Sequence, residues 1–290
     1  MKNNKRVLII TLIAVSAIMA GLLYFLFSNR IIDPVTPNVP DVVQTDEKLE
    51  QYRKIWSDNK NINEDYVGEL FFDSGLINVS FVQAKSCYKS NGEMYKFYTE
   101  NGNIVSDPSN YTGNDVYIWT NWKTGAYDYN DEGGSVFMDY RNEINDENLV
   151  IYGHHFSEWN DETRKKAFTP LEQLMDESNY KANKFVTLVL EHEIRHYELV
   201  SVYQFNALLD SHWDDFQYWR TEYRYDDYTG SIDDDYYARY IEAVKNIQLY
   251  DTGVDLTTKD KTLTLQTCIS GYTGELFEIL LFKQIDSQSY

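Results

Sequence analysis

Cysteine, proline and histidine are scarce in this chain of 290 residues, which holds two, five and five of them. Two cysteines allow at most one bridge, and one bridge adds little to a domain large enough to bury its own core. Cys87 lies in a polar, loop-like stretch and Cys268 ends a strand pattern, so both are expected as free thiols. Positive charge is also short: 26 basic residues face 46 acidic ones. Four of the 26 fall within the first 30 residues, and no acid precedes Asp33, which leaves the remainder with 22 basic and 46 acidic residues, a net charge of −24. Such a surface repels nucleic acid and anionic lipid headgroups. There is no internal repeat, and no arginine follows Arg239.

What is present begins with Val7–Phe27, an uncharged run of 21 residues rich in Leu, Ile, Val and Ala. It is long enough to cross a bilayer as a helix. Lys2, Lys5 and Arg6 precede it and only Arg30 follows closely, which orients the N-terminus to the cytoplasm. A cleaved signal peptide would have a shorter apolar core and a small-residue cleavage site, and none follows Phe27. Pro34, Pro37 and Pro40 then mark an extended stalk. The expected organisation is a cytoplasmic N-terminus (1–6), a single membrane span (7–27), an extracellular stalk (28–44) and one folded domain (45–290).

Thr45 or Asp46 caps an amphipathic helix in which Leu49, Tyr52, Ile55 and Trp56 recur at helical spacing. Short apolar runs predict strands within Tyr66–Gln83 and at Val116–Trp119, Ser135–Tyr140, Leu149–Tyr152, Phe185–Leu190, Tyr197–Phe205, Leu263–Thr267 and Phe277–Phe282. Tyr88–Asn114 reads as a polar surface insertion. Thr169-Pro170-Leu171-Glu172 starts a short helix, with a capping box and proline at its first position. Ser231 caps another helix, whose Tyr237, Tyr240, Ile241 and Val244 share a face. Many short strands with a few inserted helices imply a mainly β fold, a barrel or a sandwich.

Cys268 and His154 are the first candidates for chemistry. Each ends an apolar strand pattern, TLTLQTC and LVIYGH. A thiol of ordinary pKa is mostly protonated near neutrality and needs a nearby base or cation to act as a nucleophile. An imidazole can accept that proton and later protonate a leaving amine. Taken singly, each residue reads as an ordinary buried side chain; the flanking sequences decide otherwise.

TLQTC resembles the Thr-Leu-x-Thr-Cys signature of sortases, and Tyr152-Gly153-His154 resembles the strand end that carries their histidine. GSVFMDYRN (Gly134–Asn142), ENLVIYGHHF (Glu147–Phe156) and SIDDDYYARYIEAV leading to YDTGVDLTTKDKTLTLQTC are similar to class B sortases in particular. The resemblance runs in order from Tyr66 to Ile285. It implies an eight-stranded sortase-type β-barrel with an N-terminal helix and a helix in the connection between the sixth and seventh strands. It implies Cys268 as nucleophile and His154, rather than His155, as general acid/base. Tyr152, Gln266 and Thr267 would bind substrate or shape the pocket. The implied reaction is cysteine transpeptidation, with no metal or other cofactor. The thiol attacks a C-terminal sorting motif of a surface or pilin protein, and an amine from a peptidoglycan cross-bridge or a pilin lysine resolves the thioacyl intermediate. The implied place is the outer face of a Gram-positive-type cell membrane.

One feature departs from the family. Sortases carry an arginine on the strand after the cysteine, where its cation stabilises the developing oxyanion or holds the sorting motif. Here that window reads LFEILL, Leu276 to Leu281, and alignment on Lys283 puts Phe277 in the arginine's place. Arg195, Arg220, Arg224 or Tyr272 could substitute, or the domain could bind sorting motifs with impaired catalysis. His192-Glu193-Ile194-Arg195-His196 matches H-E-x-x-H, the zinc-peptidase signature, which needs a helix. Its β-rich flanks predict a hairpin instead, where histidines four apart are separated by roughly 13 Å. The aromatic and acidic segment from Trp213 to Tyr228 leads into the connection that, in class B sortases, helps form the substrate groove. Asp226, Asp227 and Asp233–Asp235 lack the spacing of a calcium loop.

Overall fold

The computed structural model describes residues 46–129, 133–156, 165–206, 234–269 and 276–290. The expected membrane span, the stalk, Ser231 and the segment from Trp213 to Tyr228 lie outside them. No helix among the described residues is long and apolar enough to cross a membrane. Thr45–Tyr290 forms one compact unit.

Eight strands close into a barrel in the order β1-β2-β3-β4-β7-β8-β6-β5. They are β1 (Tyr66–Phe72), β2 (Asn78–Val82), β3 (Val136–Met138), β4 (Asn148–Tyr152), β5 (Phe185–Val189), β6 (Glu193–Asn206), β7 (Thr262–Cys268) and β8 (Leu276–Ser289). Barrel closure, rather than a sandwich, removes every free sheet edge. The period-2 alternation of TLTLQTC sorts β7 between two layers. Leu263 and Leu265 join Leu280, Phe282, Leu149 and Ile151 inside the barrel, while Thr262, Thr264, Gln266 and Cys268 face outward.

Among the described residues, three α-helices decorate the barrel: α1 (Asp46–Ile62), α2 (Gly113–Ile118) and α3 (Asp234–Ile247). Leu49 of α1 packs on Val189 and Ile194, and the Trp56 indole donates to the Val67 carbonyl at 3.1 Å. In the β6/β7 connection, α3 lays Tyr237, Tyr240 and Val244 on Val200, Tyr203, Phe205, Ile279 and Leu281, as its periodicity predicts. The short helix at Thr169–Met175 is a 3-10 helix.

Two expectations fail. Val116–Trp119 is not a strand; Val116 to Ile118 form the end of α2 and Trp119 caps it. Asp115 accepts from both the backbone N–H and the hydroxyl of Thr112, at 2.6 and 2.9 Å, and this cap starts a helix that the β-favouring side chains alone would not predict. Nor is Tyr88–Asn114 a merely superficial insertion. Tyr95, Phe97 and Val105 are buried with Cys87, Val116, Tyr117 and Trp122 in a cluster of their own, because aromatic residues spaced through a polar segment can still meet across its turns.

Candidate active site

Strands β4 and β7 are parallel neighbours in a register that pairs Tyr152 with Gln266. Continuing that register by two residues pairs His154, just past the end of β4, with Cys268, the last residue of β7, and both line one cleft. Two hydrogen bonds hold the turn between Tyr152 and His154 against β7: Gly153 N–H to the Gln266 carbonyl at 3.2 Å, and the Thr267 hydroxyl to the Gly153 carbonyl at 2.8 Å. Gly153 is required by contact. A Cβ there would come within 2.6 Å of the Phe168 ring. The result is a cleft of about 230 Å³ lined by Asn114, Ile118, Phe137, Tyr152, His154 and Cys268, together with Gly153, Gln266, Thr267 and Phe277. Every site residue named from the resemblance therefore meets in one place.

The imidazole of His154 is half-buried. Its Nε2 lies 2.8 Å from the Ile118 carbonyl, which can only accept, so Nε2 carries the hydrogen and Nδ1 is left as the basic nitrogen. Trp119 packs against the ring at 4.4 Å between centroids, tilted by 31°. Burial pushes the His154 pKa down, against the opposing pull of the Ile118 carbonyl, and burial pushes the Cys268 thiol up. Both groups are consequently neutral at neutral pH.

Gly134 guards the carbonyl that holds His154. Its φ is +81°, and a Cβ there would sit 1.9 Å from the Ile118 oxygen. Gly134→Ala is expected to destabilise the fold by about 2 kcal/mol or more and to displace the His154 acceptor. Urea unfolding measures the first effect, and the reactivity of Cys268 measures the second. Unchanged values for both would refute this role.

Tyr152 faces the cleft, with its ring 5.4 Å from Phe137 and its hydroxyl donating to Asp139 at 3.0 Å. Asn114 and Arg141 donate to the same carboxylate at 3.1 and 2.9 Å. Burial would raise the Asp139 pKa, but the Arg141 guanidinium overcomes it and holds the carboxyl below its usual range. One buried anion thus fixes the Tyr152 and Asn114 walls.

No lysine or arginine lines the cleft among the described residues. The position opposite Cys268 in the β7–β8 register is Phe277, the residue that alignment on Lys283 puts in the arginine's place. Arg195 does not fill the gap. It donates to the Ile144 carbonyl at 2.7 Å and pairs with Glu193, away from the cleft lining. Arg220, Arg224 and Tyr272 lie outside the described residues.

The H-E-x-x-H match is not a zinc site of the helical kind. Glu193 to His196 open strand β6, whose backbone extends the two histidines apart. His192 is exposed in the preceding turn, and His196 is buried with Nδ1 3.0 Å from the Thr187 hydroxyl. No group of three potential ligands occurs among the described residues. Both cysteines are free, and Cys87 is buried with its thiol donating to the Thr112 carbonyl at 3.2 Å.

No protein-family model matches the chain. Curated relatives do. Sortase B of Staphylococcus aureus is 27% identical over 154 residues, covering 52% of this chain and 54% of the relative. Sortase B of Listeria monocytogenes is 30% identical over 159 residues, covering 53% and 54%. The chain spans about half the length of the curated relatives it matches. A mutant form of Clostridium perfringens sortase B superposes with a TM-score of 0.59 at 25% identity, over 83% of this chain and 90% of that one. The chain is similar to class B sortases in sequence and shares their fold. A substrate complex of S. aureus sortase B shares the fold, at a TM-score of 0.57 and 21% identity over 83% and 94% of the two chains.

Within this class B sortase fold, the sequence motifs did not point to Asn114, Ile118, Phe137 or Trp119 as cleft and histidine neighbours. The strand expected at Val116–Trp119 hid two of them. The capping pair Thr112–Asp115 was the signal that could have revealed the helix. Glu278 also escaped notice, although a lone carboxylate in the apolar run LFEILLF is a signal in itself.

Proposed function

We propose that this domain is a cysteine transpeptidase acting on the sorting motif of surface or pilin proteins. The observation that carries the reading is the β4–β7 register, which sets a thiol beside an imidazole whose basic nitrogen is free to take its proton. The Cys268 sulfur attacks the scissile carbonyl carbon as His154 Nδ1 accepts the thiol proton. Collapse of the tetrahedral adduct expels the amine, which takes that proton, and leaves a thioester on Cys268. A second amine then attacks the thioester and restores the thiol. Tyr152 and Thr267 shape the apolar cleft that holds the motif.

The acceptor amine is proposed to be a peptidoglycan cross-bridge or a pilin lysine. One solved relative is a sortase B complexed with triglycine, and a short glycine peptide is accordingly the first acceptor to try. The uncharged run Val7–Phe27 supports a single-pass anchor with this domain outside the cell.

Incubating the chain with a panel of sorting-motif peptides should give a thioester adduct at Cys268 in mass spectrometry, discharged by triglycine. Phe277 opposite the thiol favours a second reading, a domain that binds sorting motifs without turning them over. Measurable peptide binding with no adduct for any motif would establish that reading and sink the first.

A further inference from the structure

The outward face of β7 carries a row of polar side chains, and all but one beside the thiol have partners. The hydroxyls of Thr262 and Thr264 both donate to Asn148 Oδ1 at 3.0 Å. Gln266, next in the row, is 6% exposed and lines the cleft. Its Oε1 is buried without a hydrogen-bond partner, and no described residue bonds its amide nitrogen. A buried carbonyl oxygen without a donor is costly to keep, so the side chain is not held by its surroundings and its amide N–H is available to the cleft.

Gln266 and Cys268 are same-face neighbours, roughly 6.6 Å apart along the strand, a gap that a glutamine side chain largely spans. Across from them, β8 offers Ile279 and Phe277, neither of which can donate. An acyl group on Cys268 therefore develops its negative oxygen in a cleft with no lining cation among the described residues. There an aligned neutral donor is worth more than in water.

We propose that the Gln266 side-chain amide donates a hydrogen bond to the carbonyl oxygen of the group acylating Cys268, and so supplies the oxyanion donor that Phe277 cannot. The proposal rests on Cys268 being the nucleophile, but not on the identity of the sorting motif. In the step it assists, sulfur bonds to the carbonyl carbon, the carbonyl π pair moves onto oxygen facing the Gln266 N–H, and the pair returns as the leaving group departs. Catalysis by Gln266 is thus specific to carbonyl electrophiles.

That specificity provides the test. The full chain is treated with p-nitrophenyl acetate, whose reaction passes through an oxyanion and releases p-nitrophenolate, and separately with iodoacetamide, whose displacement of iodide does not. Both adducts are quantified at the Cys268 peptide by mass spectrometry. Gln266→Met should slow acylation about 10- to 100-fold, the range for one hydrogen bond to a charged group, while alkylation stays within about twofold. Its thermal midpoint should be unchanged or raised. Gln266→Leu, different in shape, should show the same selective loss.

An unchanged ratio of the two rates, whether both fall or neither does, overturns the proposal. So does an unaltered chain that is alkylated but not acylated at Cys268. Normal ester acylation with selective loss in both variants, but no reaction with any peptide, supports Gln266 and sinks only the sorting-motif assignment.

Discussion

His154→Ala is expected to lower sorting-peptide cleavage by about 10²- to 10⁴-fold, the usual contribution of a positioned acid/base. The pair starts from thiol and imidazole, not from thiolate and imidazolium, because burial disfavours the charged form of each. Without the imidazole, the thiol must release its proton to solvent from a raised pKa. The leaving amine also loses its proton source. Alkylation of Cys268 by iodoacetamide should fall in this variant too, which separates it from the acylation-specific loss at Gln266.

The pH profile follows from the same directions. Neutral His154 is the competent base, and its pKa lies below the ordinary histidine value. Activity should therefore persist through neutrality and mildly acidic pH, and fall only as pH drops through that lowered pKa. A kcat/KM profile that instead peaks narrowly between a depressed thiol pKa and a raised imidazole pKa would show an ion pair and overturn the assignment.

Glu278→Gln is expected to remove a loss of stability that the domain otherwise suffers as pH rises from about 4.5 to about 8. Glu278 alternates with Leu280 and Phe282 toward the barrel interior, is fully buried, and has both carboxylate oxygens without hydrogen-bond partners. Burial first, and then the Glu172 charge, pushes its pKa up to about 8. Its strand partners Gln204 and Thr267 are neutral, Glu172 faces His155 Nε2 at 3.0 Å, and the Tyr250 phenol lies within reach of its charge.

Between the ordinary carboxylate range and pH 8, the unfolded chain gives up this proton while the folded chain retains it. Stability therefore falls with rising pH across that window and levels off above it. At about 1.4 kcal/mol per unit of pKa shift, the loss by pH 8 is on the order of 4 kcal/mol. Urea unfolding of the wild type and Glu278→Gln should give similar stabilities near pH 4.5 and a growing advantage for glutamine toward pH 8. Parallel curves would mean that Glu278 ionises freely in the folded chain.

The sequence alone determined the elements that local pattern controls. The TLTLQTC alternation, the LVIYGH strand end and the helical spacing of Tyr237, Tyr240 and Val244 each specify a segment by its own periodicity. Flanking residues were enough to propose Cys268, His154, Tyr152, Gln266 and Thr267, and to put Phe277 where the family carries its arginine; the register of β7 on β8 set Phe277 opposite the thiol. The tertiary structure decided what depends on partners distant in the chain. The Thr112–Asp115 cap drew Val116 to Ile118 into α2, whose last carbonyl fixes the His154 tautomer. Parallel pairing of β4 with β7, strands separated in the chain by β5, β6 and α3, set imidazole beside thiol. Burial then set the protonation states of His154, Cys268 and Glu278, and left the Gln266 amide unpaired. Periodicity is written into neighbouring residues, but desolvation and hydrogen-bond pairing exist only once the barrel has closed.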